Sequence, residues 1–181
     1  SRGAAGRVID GHAPGLSGAG LCAYAAAGIR SDHEFTGPDE AREKLRMGLR
    51  IMIREGSAGK NLKDLLPAVT PATSRRFMLV TDDRHPKDLL NEGHMDHLLR
   101  RAVSEGLDPV TAIQMAALNP AEYFGLRDRG AVAPGYRADL IVVDDLRHFD
   151  ARLVLKRGRI IARDGCLEGA PARSRPKRHT S

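Results

Sequence analysis

Tryptophan is absent, Phe and Tyr together supply only 4% of the 181 residues, and cysteine occurs twice. Each scarcity excludes something. So few rings leave none of the stacking platforms on which single-stranded nucleic acid is usually held. Cys22 and Cys166 lie far apart with no CxxC partner, which provides neither a disulfide framework nor a thiolate metal site; both are expected to be unpaired thiols. No apolar run reaches the roughly 18 residues that a membrane span requires. No basic segment followed by an apolar stretch is readable as a secretion signal, and the expected compartment is the cytoplasm.

Excess charge is also scarce through most of the chain. Of the net +6, residues 1–165 contribute +3 (25 Lys and Arg against 22 Asp and Glu) and residues 166–181 the other +3 (four against one). The closing stretch APARSRPKRHTS is rich in Pro, Ser and basic residues without apolar period, so residues 169–181 are expected to form a disordered, solvated basic tail. Nucleic acid is not an expected partner. What remains has globular composition, 41% apolar and 29% charged, at a length suited to one domain or one domain with a small appendage.

Short apolar runs alternate with helical patterns along residues 7–125. RVID (7–10), a short strand end in IRSDHE (29–34), RIMI (50–53) and RRFMLV (75–80) read as strands. LCAYAAAGI, PDEAREKLRMGL, KNLKDLLPAV and HMDHLLRRAVSEG read as helices, and DPVTAIQMAALNPAEYFGL reads as two more, each opened by an Asp-Pro or Asn-Pro start. Strands separated by helices at this spacing indicate βαβ units and a parallel sheet of about four strands, too few to close an eight-stranded barrel. From residue 130 the texture changes to strand 140–143 and a hairpin pattern, ARLVLKRGRIIARDG, turning at Arg157 and Gly158.

In parallel α/β sheets ligands bind beyond the carboxyl ends of the strands. Each strand here ends in ionisable residues: His12; Asp32, His33 and Glu34; Arg54 and Glu55; Asp82, Asp83, Arg84 and His85. Singly, each has a plain alternative. His12 can bond a carbonyl, His33 can join a surface ion cluster, Asp82 can cap the helix near Pro86, and Arg54 with Glu55 can form a surface ion pair. Jointly, His12, His33 and Asp82 on three strand ends form the neutral-nitrogen and anionic-oxygen set that suits a divalent transition ion. His94 and His97, three apart on a predicted helix, are expected to be solvated.

The segments VIDGHAPGLSG, AAGIRSDHE, IMIREGSAGKNL, RRFMLVTDDRHPKDLL and DPVTAIQMAALNPAEYFGLRDRGAVAPGYRADLIVVDD resemble the bacterial adenine deaminases, a family of the amidohydrolase superfamily. SDHE, TDDRHP and GHAPG carry the specific likeness; APGYRADLIVVD is common to many amidohydrolases. The resemblance implies an α/β fold, a (β/α)8 TIM-type barrel joined to a small β-sandwich. Residues 1–129 would supply the last four barrel strands, and 130–168 would be strands of the β-sandwich. It implies metal ligands His12, His33 and Asp82 around Mn2+, with Fe2+ or Zn2+ as alternatives. Asp82 rather than Asp83 is chosen only by the family pattern, in which the acid after Thr meets the metal.

The implied reaction is hydrolytic deamination of adenine to hypoxanthine and ammonia. In it Asp82 acts as base and then acid, and Glu34 serves a ring nitrogen. Asp83, Arg84, His85 and Glu55 are implied substrate contacts. The family's His-x-His pair and its fourth-strand carboxylate have no counterpart in these 181 residues, so the expectation is a fragment covering the second half of the barrel. With an unpaired strand on each side it is expected to associate, and the full-length form to be a homo-oligomer. Two alternatives remain: another amidohydrolase acting on cyclic amides, or an inactive half-barrel binding partners through its basic tail.

Overall fold

The computed structural model describes residues 8–169. Apart from Gly169, the expected tail lies outside the described residues. Strands β1 (Ile9–Gly11), β2 (Ile29–Asp32), β3 (Arg50–Arg54) and β4 (Phe77–Val80) form one parallel sheet in sequence order. They are joined through α1 (Gly18–Ala26), α2 (Pro38–Arg46) and the short α3 (Leu62–Leu65). After β4 come α4 (Pro86–Asn91), α5 (Met95–Ser104) and α6 (Pro109–Ile113). A π-helical stretch (Gln114–Leu118) then leads into α7 (Asn119–Tyr123).

β3 shows why this sheet forms. Its apolar residues are buried on both sides, Ile51 and Ile53 fully and Met52 nearly so, as expected for a parallel strand covered on two faces. Ile51 and Ile53, with Phe77 and Leu79 of β4, pack against Leu62, Leu65, Leu98, Ala102, Ala112 and Met115 from the helices. Met52 and Met78 are buried outside that cluster, consistent with alternation to the opposite face. α2 starts at Pro38 with Asp39 and Glu40 in its first turn and ends with Lys44 and Arg46, matching the helix dipole at both ends.

Two sequence expectations are corrected. Asn119-Pro120 does not open a separate helix, because helical backbone runs from 109 to 123 without a break. The π-helical stretch ends at Leu118, two residues ahead of Pro120, and such a widened turn lets the ladder pass a residue that has no N–H. The Asn119 amide is buried and donates to Ser74 O (2.9 Å) and Phe77 O (2.8 Å), tying the helix to the start of β4. His94 and His97 do not share a helix face, since His94 is the N-cap of α5, outside the helix, and only His97 lies within it.

A second, antiparallel sheet has the order β5 (Leu140–Val143), β6 (Ala151–Lys156), β7 (Arg159–Arg163), β8 (Cys166–Leu167). β6 and β7 turn at Arg157 and Gly158, both with positive φ (51° and 76°), the backbone of a two-residue type I′ hairpin. Among the described residues no helix is long and apolar enough to cross a membrane.

Candidate metal centre

The loops after β1 and β2 bring His12, His33 and Glu34 together, with one donor atom from each lying within 4.8 Å of the others. The two imidazoles meet edge to face, with ring centroids 5.3 Å apart and planes at 89°. Parallel pairing of β1 with β2, with Gly11 opposite Asp32, sets the two histidines side by side just beyond the sheet. Two neutral nitrogens and one carboxylate oxygen at that spacing fit a borderline divalent ion with coordination left open.

Asp10, which the sequence pattern alone does not single out, supports this pair. One of its oxygens lies 3.3 Å from His33 Nδ1. A carboxylate there favours the tautomer protonated at Nδ1 and leaves Nε2 as the donor. The other oxygen accepts from Ser31 Oγ (2.6 Å), and Tyr123 OH lies 2.8 Å from the same hydroxyl. The available signal is position: Asp10 closes the apolar run RVID two residues before His12, and so points to the same side of the sheet end.

Asp82 is not within the three-residue cluster but is joined to it through Arg54. The Arg54 Nη1 donates to Glu34 Oε1 (2.5 Å) and to Asp82 Oδ2 (2.8 Å). Burial alone would lower the Arg54 pKa; the bonds to Asp82 and Glu34 outweigh it and raise the value. Arg54 thus pairs across three strands, and not with its chain neighbour Glu55, the plain alternative that the sequence leaves open. Asp82 sits in the left-handed region (φ 54°), an uncommon conformation that an aspartate tolerates better than most residues.

The remaining candidates lie around this group. Asp83 Oδ2 accepts from Ala58 N (2.8 Å), and that bond holds its carboxyl below the ordinary value. A Cβ on Gly56 would fall 1.8 Å from Asp83 Oδ1, so glycine is required there. The His85 amide donates to Ser57 Oγ (2.8 Å), and Ser57 Oγ in turn bonds Asp88. Arg84 is not at the cluster: its buried guanidinium pairs with Glu92 and donates to Gly93 O (3.3 Å). Glu55 is buried, and burial pushes its carboxyl up against the opposing pull of Arg101 and Lys60. His94 Nε2 lies 3.2 Å from Thr81 Oγ1. His97 is partly covered rather than solvated, and burial, then Arg84, lowers its pKa.

The chain is an α/β protein in which histidine and carboxylate donors converge beyond the carboxyl ends of parallel strands, at a spacing that could hold a cation. The Amidohydrolase family model matches residues 4–161, and the chain belongs to that family. It is 57% identical over 175 residues to an adenine deaminase of Desulfatibacillum aliphaticivorans, covering 97% of this chain and 31% of that protein. To adenine deaminase 2 of Carboxydothermus hydrogenoformans it is 52% identical over 177 residues, again covering 97% and 31%. The chain thus spans about a third of the length of these relatives. Among solved structures, a β-aspartyl dipeptidase of Fervidobacterium islandicum AW-1 has TM-score 0.59 at 19% identity, covering 74% of this chain and 36% of that one. An amidohydrolase has TM-score 0.58 at 19% identity, covering 84% and 44%. These structural likenesses bear on the fold alone.

Proposed function

We propose that this chain carries the second half of the active site of a metal-dependent hydrolase that deaminates adenine to hypoxanthine and ammonia. In this reading the parallel sheet and its helices are the last four βα units of an eightfold barrel, reaching to residue 129. The antiparallel strands of 130–168 belong to the small β domain. The convergence of His12, His33 and Glu34 within 4.8 Å is the observation that carries the reading, and the 57% identity to a protein named adenine deaminase supports the substrate.

His12 and His33 would hold the ion, most simply Mn2+, with Asp10 fixing the orientation of His33. Such an ion, when bound, lowers the pKa of coordinated water towards about 7 and so supplies a nucleophile at neutral pH. Asp82 takes the proton of the attacking water and returns it to the departing amine. Glu34 lies at the edge of the cluster, where its carboxyl can serve a purine ring nitrogen or complete the ion's coordination. Arg54 keeps the Glu34 and Asp82 carboxylates at a fixed separation, so that two proton-handling groups face one substrate position. Asp83 and His85 stand on the same loop as candidate substrate contacts.

Activity is proposed for the whole protein in which these residues act. The test is ammonia release from adenine, against ring opening of hydantoin, by the Mn2+-loaded protein and its Asp82→Asn variant. Turnover of adenine that falls by about 10²–10⁴ in the variant is the expected result. Ring opening of hydantoin without adenine turnover would replace the substrate class.

A further inference from the structure

α2 carries two charged residues on its inner face, the half-buried Glu40 and the buried Lys44, one helical turn apart, and neither side chain reaches the donor atoms of the candidate ligands. Lys44 is wholly buried. Its Nζ donates to Asp32 Oδ2 (2.7 Å), Glu40 Oε1 (2.5 Å) and Ala13 O (2.8 Å), with Glu34 O at 3.5 Å. Ala13 follows His12 directly, and Glu34 follows His33. Glu40 completes the set: Oε1 accepts from Gly15 N (2.8 Å), while Oε2 accepts from Thr36 N (2.8 Å) and Thr36 Oγ1 (2.6 Å). Asp32 adds a bond from Glu34 N to its Oδ1 (2.8 Å), and Glu43 Oε1 accepts from Gly18 N (2.9 Å).

Apart from the Glu43 bond to Gly18 at the start of α1, every bond in this network that leaves α2 ends on the loop carrying His12, on the loop carrying His33 and Glu34, or on the end of β2. A buried ammonium flanked by two carboxylates is a costly way to stabilise a helix, because hydrophobic residues of similar volume often serve stability as well or better. The network is instead suited to fixing backbone: the two loops have no regular pairing beyond β1 and β2, and a bidentate carboxylate sets the distance between them.

We propose that Glu40 and Lys44 are positioning residues, which fix the separation of the His12 loop from the His33–Glu34 loop and thereby set the affinity of the site for its divalent ion. The inference rests on the proposed metal centre. It concerns residues that bind neither ion nor substrate, and it implies that affinity is tuned from a helix behind the sheet end.

The test is Mn2+ binding to the full chain, followed by the electron paramagnetic resonance signal of free Mn2+, with thermal melting of the metal-free protein measured alongside. Glu40→Gln keeps the side-chain shape and one acceptor oxygen, and turns an amide towards one of the two loops. Its Mn2+ Kd is expected to rise by about 10- to 100-fold, the range seen when groups that orient metal ligands are lost, while the metal-free Tm changes little. Arg42→Ala, on the exposed face of the same helix, should change neither quantity. Equal Mn2+ affinity in folded Glu40→Gln and the parent overturns the inference and leaves the metal centre intact; no Mn2+ binding by the parent overturns both. Should Glu40→Gln fail to fold, amide exchange in the parent decides. The Gly15 and Thr36 amides are expected to exchange more slowly once Mn2+ is added, and no change in either would overturn the inference.

Discussion

The two sheets use charge in opposite ways. In the parallel half, charged side chains are taken out of water: Asp32 and Lys44 are fully buried, Glu55 is 5% exposed, and Arg84 lies beneath the α4–α5 turn. In the antiparallel half, Arg152 pairs with Asp144 and Asp164, and Lys156 with Asp139, all at the surface. Some of its apolar residues are exposed as well, Ile141 at 64% and Leu167 at 66%. Removing an ion from water costs several kcal/mol before any partner is gained, so buried charge persists where geometry demands it. The demand in this molecule lies at the strand ends, and the second sheet has none comparable.

The largest contrast is between two lysines that each meet an aspartate. Lys44–Asp32 (2.7 Å) and Lys156–Asp139 (2.8 Å) have nearly the same length, but the first pair is wholly buried and the second is solvated on the lysine side. Lys44→Met leaves the buried Asp32 carboxylate without its counter-charge and is expected to cost about 3–5 kcal/mol in denaturant unfolding. Lys156→Met should leave the melting temperature unchanged within error. Similar losses at both positions would erase the distinction between the sheets.

A smaller effect sharpens the comparison from within the parallel half. Burial raises the Glu55 pKa above its ordinary 4.5, so the folded state binds more protons there than the unfolded chain. Stability from this group is complete below 4.5 and is lost as pH rises through the folded value. Glu55→Gln should therefore melt higher than the parent at pH 7, with the difference closing in acid. A lower melting temperature at pH 7 would mean that the carboxylate's partners outweigh its burial.

Much of this architecture is legible in the chain. Apolar runs of three to five residues, each followed by polar and charged residues, mark the four parallel strands and their functional ends, and Arg157-Gly158 marks the hairpin. What escapes is side-chain reach. Arg54 was legible only as a neighbour of Glu55, yet strand alternation turns the two apart, and a guanidinium long enough to cross the sheet end meets Glu34 and Asp82 instead. Lys44 reads as an ordinary charge on an amphipathic helix, although it stands three residues after the buried Ala41, on the stripe that faces inward. Pro120 reads as a helix start because sequence does not display the π-helical turn that accommodates it.

The central claim is that two imidazoles from adjacent strand ends, with a carboxylate beside them, hold one cation. Mn2+ affinity of the parent chain, measured beside His12→Ala and His33→Ala, addresses it directly. The account predicts binding by the parent and a loss of about a hundredfold or more in each variant. Equal Mn2+ loading of all three proteins would contradict it.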